Sequence, residues 1–192
     1  MLKKLVILLT ALLALGCGSS FHVIKKSGYP SPFKAATGLV VAIDHSDLRI
    51  EGQRADQYQA RLAPAERDDF TKILAAMDGS FIKRFANDIR STKVRELAEG
   101  KVRPGEVVVH VYFTQLERGW FAGVAGKDSS LDARVTFTVA GQVTDEWVDR
   151  ETDSASMYTP TDIQRLSNCS EQLARETAKY FEVAVAGGAV GH

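Results

Sequence analysis

Between Leu131 and Val139 the chain alternates without exception: Leu131, Ala133, Val135, Phe137 and Val139 are apolar, and the residues between them, Asp132, Arg134, Thr136 and Thr138, are polar. Successive strand side chains point to opposite faces, so this stretch belongs to a sheet with one packed face and one wet face. Something apolar must cover the packed face. From Pro64 to Arg90, Phe70, Leu74, Met77, Phe81, Phe85 and Ile89 recur at spacings of three and four, which predicts a helix with one apolar stripe. Pro64 suits its first turn, Glu66, Asp68 and Asp69 lie near the positive end of its dipole, and Lys83, Arg84 and Arg90 lie near the negative end. Gly79 costs about 1 kcal/mol against alanine in mid-helix and marks a bend or a close approach to the sheet. A second helix is predicted from Thr159 and Pro160 to a glycine stop near Gly187, with Ile163, Leu166, Cys169, Leu173, Tyr180 and Ala184 on one face.

The remaining strands follow from shorter runs. GLVVAID, Gly38 to Asp44, is continuously apolar and reads as a strand buried on both faces. GEVVVHVYFTQLE predicts a strand around Val107 to Gln115, and Val143 to Arg150 returns from a turn at Ala140 to Gln142 as a third, more polar strand. From Leu48 to Leu62 the pattern is compatible with two short edge strands, DLRIEGQ and QYQARLA. The order strand, helix, three-stranded meander, helix predicts an α+β fold: a small mixed or antiparallel sheet of about four strands with two long helices packed on one face. A chain of this length forms one domain and buries enough surface to need no disulfides.

At the amino terminus, Lys3 and Lys4 precede an apolar run from Leu5 to Leu15 broken only by Thr10. The run is too short for a bilayer core, which needs about 20 residues, and charged, apolar and small-residue parts in that order form a secretory signal peptide. The stretch LALGC that ends it resembles the lipobox of bacterial lipoproteins, with Gly16 before Cys17 and with Ala14 where that family more often has leucine. The resemblance implies lipidation at Cys17: a diacylglycerol on its thiol, cleavage before it, and acylation (palmitate, for example) of the new amino group. Gly18 and Ser19 imply sorting to the outer membrane of a Gram-negative cell, the domain facing the periplasm, with the inner membrane or the cell surface as alternatives. Two or three acyl chains hold a protein to a bilayer without a helix. The expected domains are therefore 1–16 signal peptide, 17–36 lipid-anchored tether, and 37–192 a single α+β domain, with Tyr29 to Phe33 as the part of the tether able to dock on the body.

Composition narrows the function. A formal net charge of zero argues against a nucleic-acid partner, which requires a basic patch. Of two cysteines, Cys169 alone remains once Cys17 is acylated, and on the apolar helix face it reads as a core thiol. His22, His45, His110 and His192 lie far apart with no zinc spacing, and His110 alternates out of register with Val107, Val109 and Val111, on the second face of its strand. DHSD, Asp44 to Asp47, reads as a polar turn, and Asp145, Glu146, Asp149, Glu151 and Asp153 as a solvated edge strand and turn. RGWFAGVAGKDSS fails the phosphate-loop template at Phe121 and Asp128, yet Trp120 and Phe121 in a glycine-rich connection suit an exposed apolar tip for a partner or membrane, or fold back over the sheet edge.

No catalytic residue, metal ligand or cofactor is assigned. The chain as a whole resembles the small lipoproteins of Gram-negative envelopes, some of whose domains look like periplasmic modules of secretion and Tol-type assemblies. That resemblance implies a non-enzymatic binding or assembly module, held to the membrane through Cys17, with an envelope protein as partner at its sheet edge or at Trp120 and Phe121. The alternatives are a periplasmic hydrolase, using His45 or His110 with a carboxylate from the Asp145 to Asp153 segment, and a small-ligand carrier with an apolar cavity between sheet and helices. Cys17→Ser is expected to release the protein from the membrane or leave the precursor unprocessed, read by fractionation and intact mass; unchanged fractionation and mass would refute acylation there.

Overall fold

The computed structural model of the chain describes residues 21–123 and 125–187; Cys17 and the signal segment lie outside them. The described residues form ten strands: β1 His22–Lys25, β2 Gly38–Asp44, β3 Arg49–Ile50, β4 Gln53–Arg54, β5 Val94–Glu96, β6 Glu106–Glu117, β7 Trp120–Phe121, β8 Gly126–Lys127, β9 Ser129–Val139 and β10 Gln142–Asp153. Three α-helices accompany them: α1 Ala55–Arg61, α2 Pro64–Asp88 and α3 Asp162–Ala186. The α+β class and the two long helices match expectation, but the main sheet has eight strands rather than about four, in the order β1-β10-β9-β6-β2-β5 with β3 beside β6 and β4 beside β3. β6, β9 and β10 form the antiparallel meander, and β2 joins β6 in parallel from Gly38↔Glu106 to Asp44↔Tyr112.

Odd-numbered residues of β6 and β9 face the helices: Val107, Val109, Val111, Phe113, Leu131, Ala133, Val135 and Phe137 are all buried. The even-numbered face, with His110, Tyr112 and Arg134, carries no helix; these three side chains are half-buried, and Thr136 between them is buried. α2 buries Phe70, Ile73, Met77, Phe81 and Phe85. Ser170 of α3 donates to the Met77 carbonyl of α2 (2.8 Å), and the Arg90 amide just beyond α2 donates to Glu182 of α3 (2.7 Å). The sequence offset is nearly the same at both contacts, so the two helices run parallel. Gly79 faces solvent with nothing within 4 Å of where a Cβ would stand, so it marks no close approach to the sheet. α3 starts later than its Thr-Pro pair suggested: Thr161 is the cap, its side chain accepting from the Gln164 amide (3.3 Å), and Gly187 ends the helix in the left-handed region. QYQARLA forms most of α1 and not a strand, since Gln57–Arg61 are helical and partly exposed.

The stretch read as a tether is largely part of the fold. β1 pairs with β10 through His22↔Val148 and Val23↔Trp147. Phe21 packs against Trp147 with the rings tilted by 36° (4.6 Å between centroids) and lies 6.0 Å from Tyr180. Phe33, only 1 % exposed, sits between Phe137 (5.3 Å) and Phe181 (5.4 Å). Ordering these residues costs conformational entropy, which the full burial of Phe33, about 1.5–3 kcal/mol, and the partial burial of Phe21 help to offset. A polar contact locks the same segment: Asp145, 1 % exposed, accepts from the Ser27 amide (3.0 Å), the Ser27 hydroxyl (3.1 Å) and the Tyr180 hydroxyl (2.6 Å). Burial and the bond to Asp145 push the Tyr180 hydroxyl pKa up, so it stays a donor.

The acidic segment is likewise no solvated edge. β1 lies outside β10, and both Asp145 and Asp149 are buried against the helix layer. Alternation explains this: Asp145, Trp147, Asp149, Glu151 and Asp153 share the face that α3 covers. Asn168 of α3 donates to Asp153 (2.8 Å). Burial, then the charge of Asp149 and the hydrogen bond shared with it, raise the Glu151 carboxyl from 4.5 to about 7, with Glu176 adding to the shift and Arg175 opposing it. The folded state therefore holds a proton that the unfolded chain has released between those two values, and stability falls as pH rises through that window. Glu151→Gln is expected to flatten this slope and to exceed wild type above pH 7 by about 1 kcal/mol, measured as urea midpoints at pH 5 and pH 8.

Candidate functional site

The meander's first turn is built as a projecting hairpin. β6 ends at Glu117, β7 and β8 pair through Trp120↔Lys127 and Phe121↔Gly126, and the Ala122 amide closes the tip on the Ala125 carbonyl (2.8 Å). Two glycines make this possible. Gly119 has φ +62°, and a Cβ there would strike the backbone carbonyls of Lys127 and Asp128. At Gly126 a Cβ would meet the Ala155 methyl at 2.6 Å, so the loop after β10 packs directly on the hairpin. The Ala155 amide also donates to Asp128 (3.0 Å).

That second loop is ordered from within. The Thr159 hydroxyl donates to the Ser154 carbonyl (2.9 Å), and the Ser156 hydroxyl receives the Tyr158 and Thr159 amides (3.3 and 3.2 Å). Its crest is Met157 and Tyr158, 75 % and 90 % exposed. Trp120 is 53 % exposed and Phe121 half-buried. The structure thus resolves the two readings of this pair: Trp120 stands outward, and Phe121 turns partly inward. Met157 and Tyr158 were not singled out in the sequence, although an apolar pair in the uncharged run SASMYTP is a detectable signal.

Arg165, fully buried in the first turns of α3, holds both loops. Its guanidinium donates from Nε to the Ser129 hydroxyl (2.8 Å) and from the two terminal nitrogens to the carbonyls of Thr159 (2.8 Å) and Arg118 (3.3 Å). Beside it, Arg118 pairs with Asp162 (2.6 Å) and reaches the Tyr58 hydroxyl (3.3 Å), and Lys127 pairs with Glu117 (2.8 Å). The Arg118 and Lys127 charges beside the apolar end are therefore matched, and Asp128 is engaged by the Ala155 amide.

The other sequence candidates lie elsewhere. The Asp44 carboxylate caps its own turn by accepting from the Ser46 amide (2.7 Å), a bond that lowers its pKa. His45 Nε2 lies 3.1 Å from Asp78 of α2, and among the described residues no hydroxyl or thiol is hydrogen-bonded to the ring. His110 stacks on Tyr112, whose hydroxyl lies 3.2 Å from Nδ1, while the Arg134 guanidinium covers the Tyr112 ring at 4.5 Å. Burial lowers the His110 pKa, against the attraction of Asp44. Neither ring meets a carboxylate of the Asp145 to Asp153 segment, the arrangement the hydrolase alternative requires. Cys169 is in the core, its thiol pushed up to about 12 by burial. Among the described residues no group of three or more His, Cys, Asp or Glu is placed to hold a metal ion, and no helix is long and apolar enough to cross a membrane. A pocket of about 420 Å³ opens between β2 and α2, lined by Ala42, Ile43, Ile82 and Leu97, with Asp78 in its wall already engaged by His45.

No protein-family model and no curated protein matches the chain. Among solved structures it is similar to the PelC dodecamer from Paraburkholderia phytofirmans, at 13 % identity and a TM-score of 0.45 over 84 % of this chain and 96 % of that one. It is also similar to protein XCC0632 from Xanthomonas campestris, of family DUF330, at 9 % identity and a TM-score of 0.43 over 85 % of this chain and 93 % of that one. Likeness at this level transfers neither residue roles nor partners.

Replacing Arg165 with methionine takes the donor from the Thr159 carbonyl, at about 1–3 kcal/mol, and leaves the Arg118 carbonyl with the Ser129 hydroxyl as its remaining donor. The expected outcome is a loss of about 3 kcal/mol in urea unfolding together with faster proteolysis between Arg118 and Ser129 than in any other exposed loop.

Proposed function

We propose that the protein is a membrane-tethered, non-enzymatic binding or assembly module of the cell envelope. It is held by lipid on Cys17 and presents the apolar end around Trp120 and Phe121 to another envelope component. The observation that carries this reading is the construction of that end. Trp120, Met157 and Tyr158 stand in solvent on two loops that Arg165, Gly119 and Gly126 fix in place, so their exposure is a built feature and not a consequence of slack. Exposed aromatic and methionine side chains on a rigid support are the composition of a contact surface.

The lipobox resemblance supplies the address: outer membrane, domain toward the periplasm. Neutral overall charge and the paired charges of the hairpin suit a partner recognised by apolar contact more than by charge.

In-cell photo-cross-linking from a reactive residue at position 120, with adducts from purified membranes identified by mass spectrometry, tests the reading. A discrete adduct that disappears when Met157 and Tyr158 become serine is the expected result. A well-expressed, folded protein that gives no adduct with protein or lipid would remove this end from consideration as the contact surface.

A further inference from the structure

The direction of β1 places the anchor. β1 is antiparallel to β10, and its first residue pairs as His22↔Val148, so Phe21 stands level with Asp149, at the end of β1 nearer Asp153. That is the end from which the Met157 and Tyr158 loop and, past β9, the Trp120 hairpin project, since Asp153 pairs with Ser129. Phe21 is itself fastened by its ring contact with Trp147 (4.6 Å). Cys17 is four residues upstream, and an extended chain covers at most about 14 Å in four steps. At the rise of a strand, Asp153 lies roughly 14 Å from Asp149, and Gln142, at the opposite end, roughly 24 Å. An anchor at Cys17 is therefore within extended reach of the base of the hairpin end, at the level of Asp153 and Ser129, and out of reach of the other end.

We propose that the occupant of the Trp120 end is the bilayer into which the acyl chains of Cys17 insert, with Trp120, Met157 and Tyr158 seated among the headgroups. This rests on the lipidation reading above. Trp and Tyr combine an apolar ring with a polar hydrogen and concentrate at the membrane–water interface, and methionine adapts to an irregular surface. The ion pairs Arg118–Asp162 and Lys127–Glu117 leave no unmatched charge on those two arginine and lysine side chains to be stripped of water as the end approaches lipid. Tyr29, Val102 and Val143 are exposed as well, but they lie toward the opposite end, near Gly187, Gly105 and the start of β10, and the Tyr29 ring already carries the Lys34 ammonium at 5.7 Å. A leash of four residues also raises the effective concentration: a bilayer anchored at Cys17 stays within reach of the hairpin end, ahead of any partner that must diffuse to it.

The test uses the full lipidated protein, purified from membranes and reconstituted into vesicles of phosphatidylethanolamine and phosphatidylglycerol whose acyl chains carry bromine near the headgroup. The protein has two tryptophans, and buried Trp147 serves as the internal reference. The Trp120 contribution to the emission is expected to fall about two-fold against unbrominated vesicles, at the depth an interfacial side chain occupies. Trp120→Phe, with an unchanged unfolding midpoint, is expected to lose that quenching. Acylated protein that floats with the vesicles but shows no bromine effect overturns the membrane seat and leaves the anchor reading standing; a protein adduct from position 120 then assigns this end to a protein partner. Protein that neither floats nor carries acyl mass on Cys17 overturns both.

Discussion

A single buried guanidinium decides the shape of the apolar end. The partners described for Arg165 are all neutral oxygens: the hydroxyl where β9 begins, the carbonyl just past the end of β6, and the carbonyl that precedes α3. A buried charge is tolerated only when its hydrogen bonds are met, and here meeting them requires all three chain segments to converge on one point. The hairpin geometry, the Asp128 contact to Ala155 and the outward stance of Trp120 follow from that convergence. Arginine suits the position because its planar fork can address three acceptors in three directions, which the compact ammonium of lysine cannot do.

The opposite requirement governs the other edge of the sheet. There the amino-terminal residues complete the core, with Phe21 and Phe33 filling gaps around Trp147, Phe137 and Phe181, and Asp145 fastening Ser27 to Tyr180. A sheet of this kind must do something with its outermost strand, and covering β10 with a short strand ending in lysine protects a row of backbone groups from pairing with another molecule. The part of the chain that looked like a spacer is thus what finishes the fold.

Long periodic elements were legible from residues alone. α2, β6, β9, β10 and α3 each repeat a pattern often enough for its period to show, and strict alternation from Leu131 to Val139 correctly assigned the two faces of the sheet. The elements missed were β1, β5 and the β7–β8 pair, whose two to four residues are too few to carry a period and whose pairing depends on partners over a hundred residues away in the case of β1, and the short helix α1, expected as a strand. The acidic stretch misled for a different reason. Charge suggested solvent, yet Asp145 and Asp149 occupy the same strand face as Trp147, and the hydrogen bonds that make the burial of Asp145 tolerable come from Ser27 and Tyr180, which no local pattern connects to it. At the hairpin, the glycine-rich run with Trp120 and Phe121 was visible; the companion loop with Met157 and Tyr158 becomes visible only when Gly126 is seen to touch Ala155.

The way β1 joins the sheet has a mechanical meaning. A pull on the residues before Phe21, directed along the strand, loads the β1–β10 hydrogen bonds side by side, and the Phe21 and Trp147 rings must slide past one another before the segment yields. A pull across the strand would open the same bonds one after another. A force that arrives along the strand axis is thus shared by the bonds of the pair at once, the direction in which the joint is stiffest.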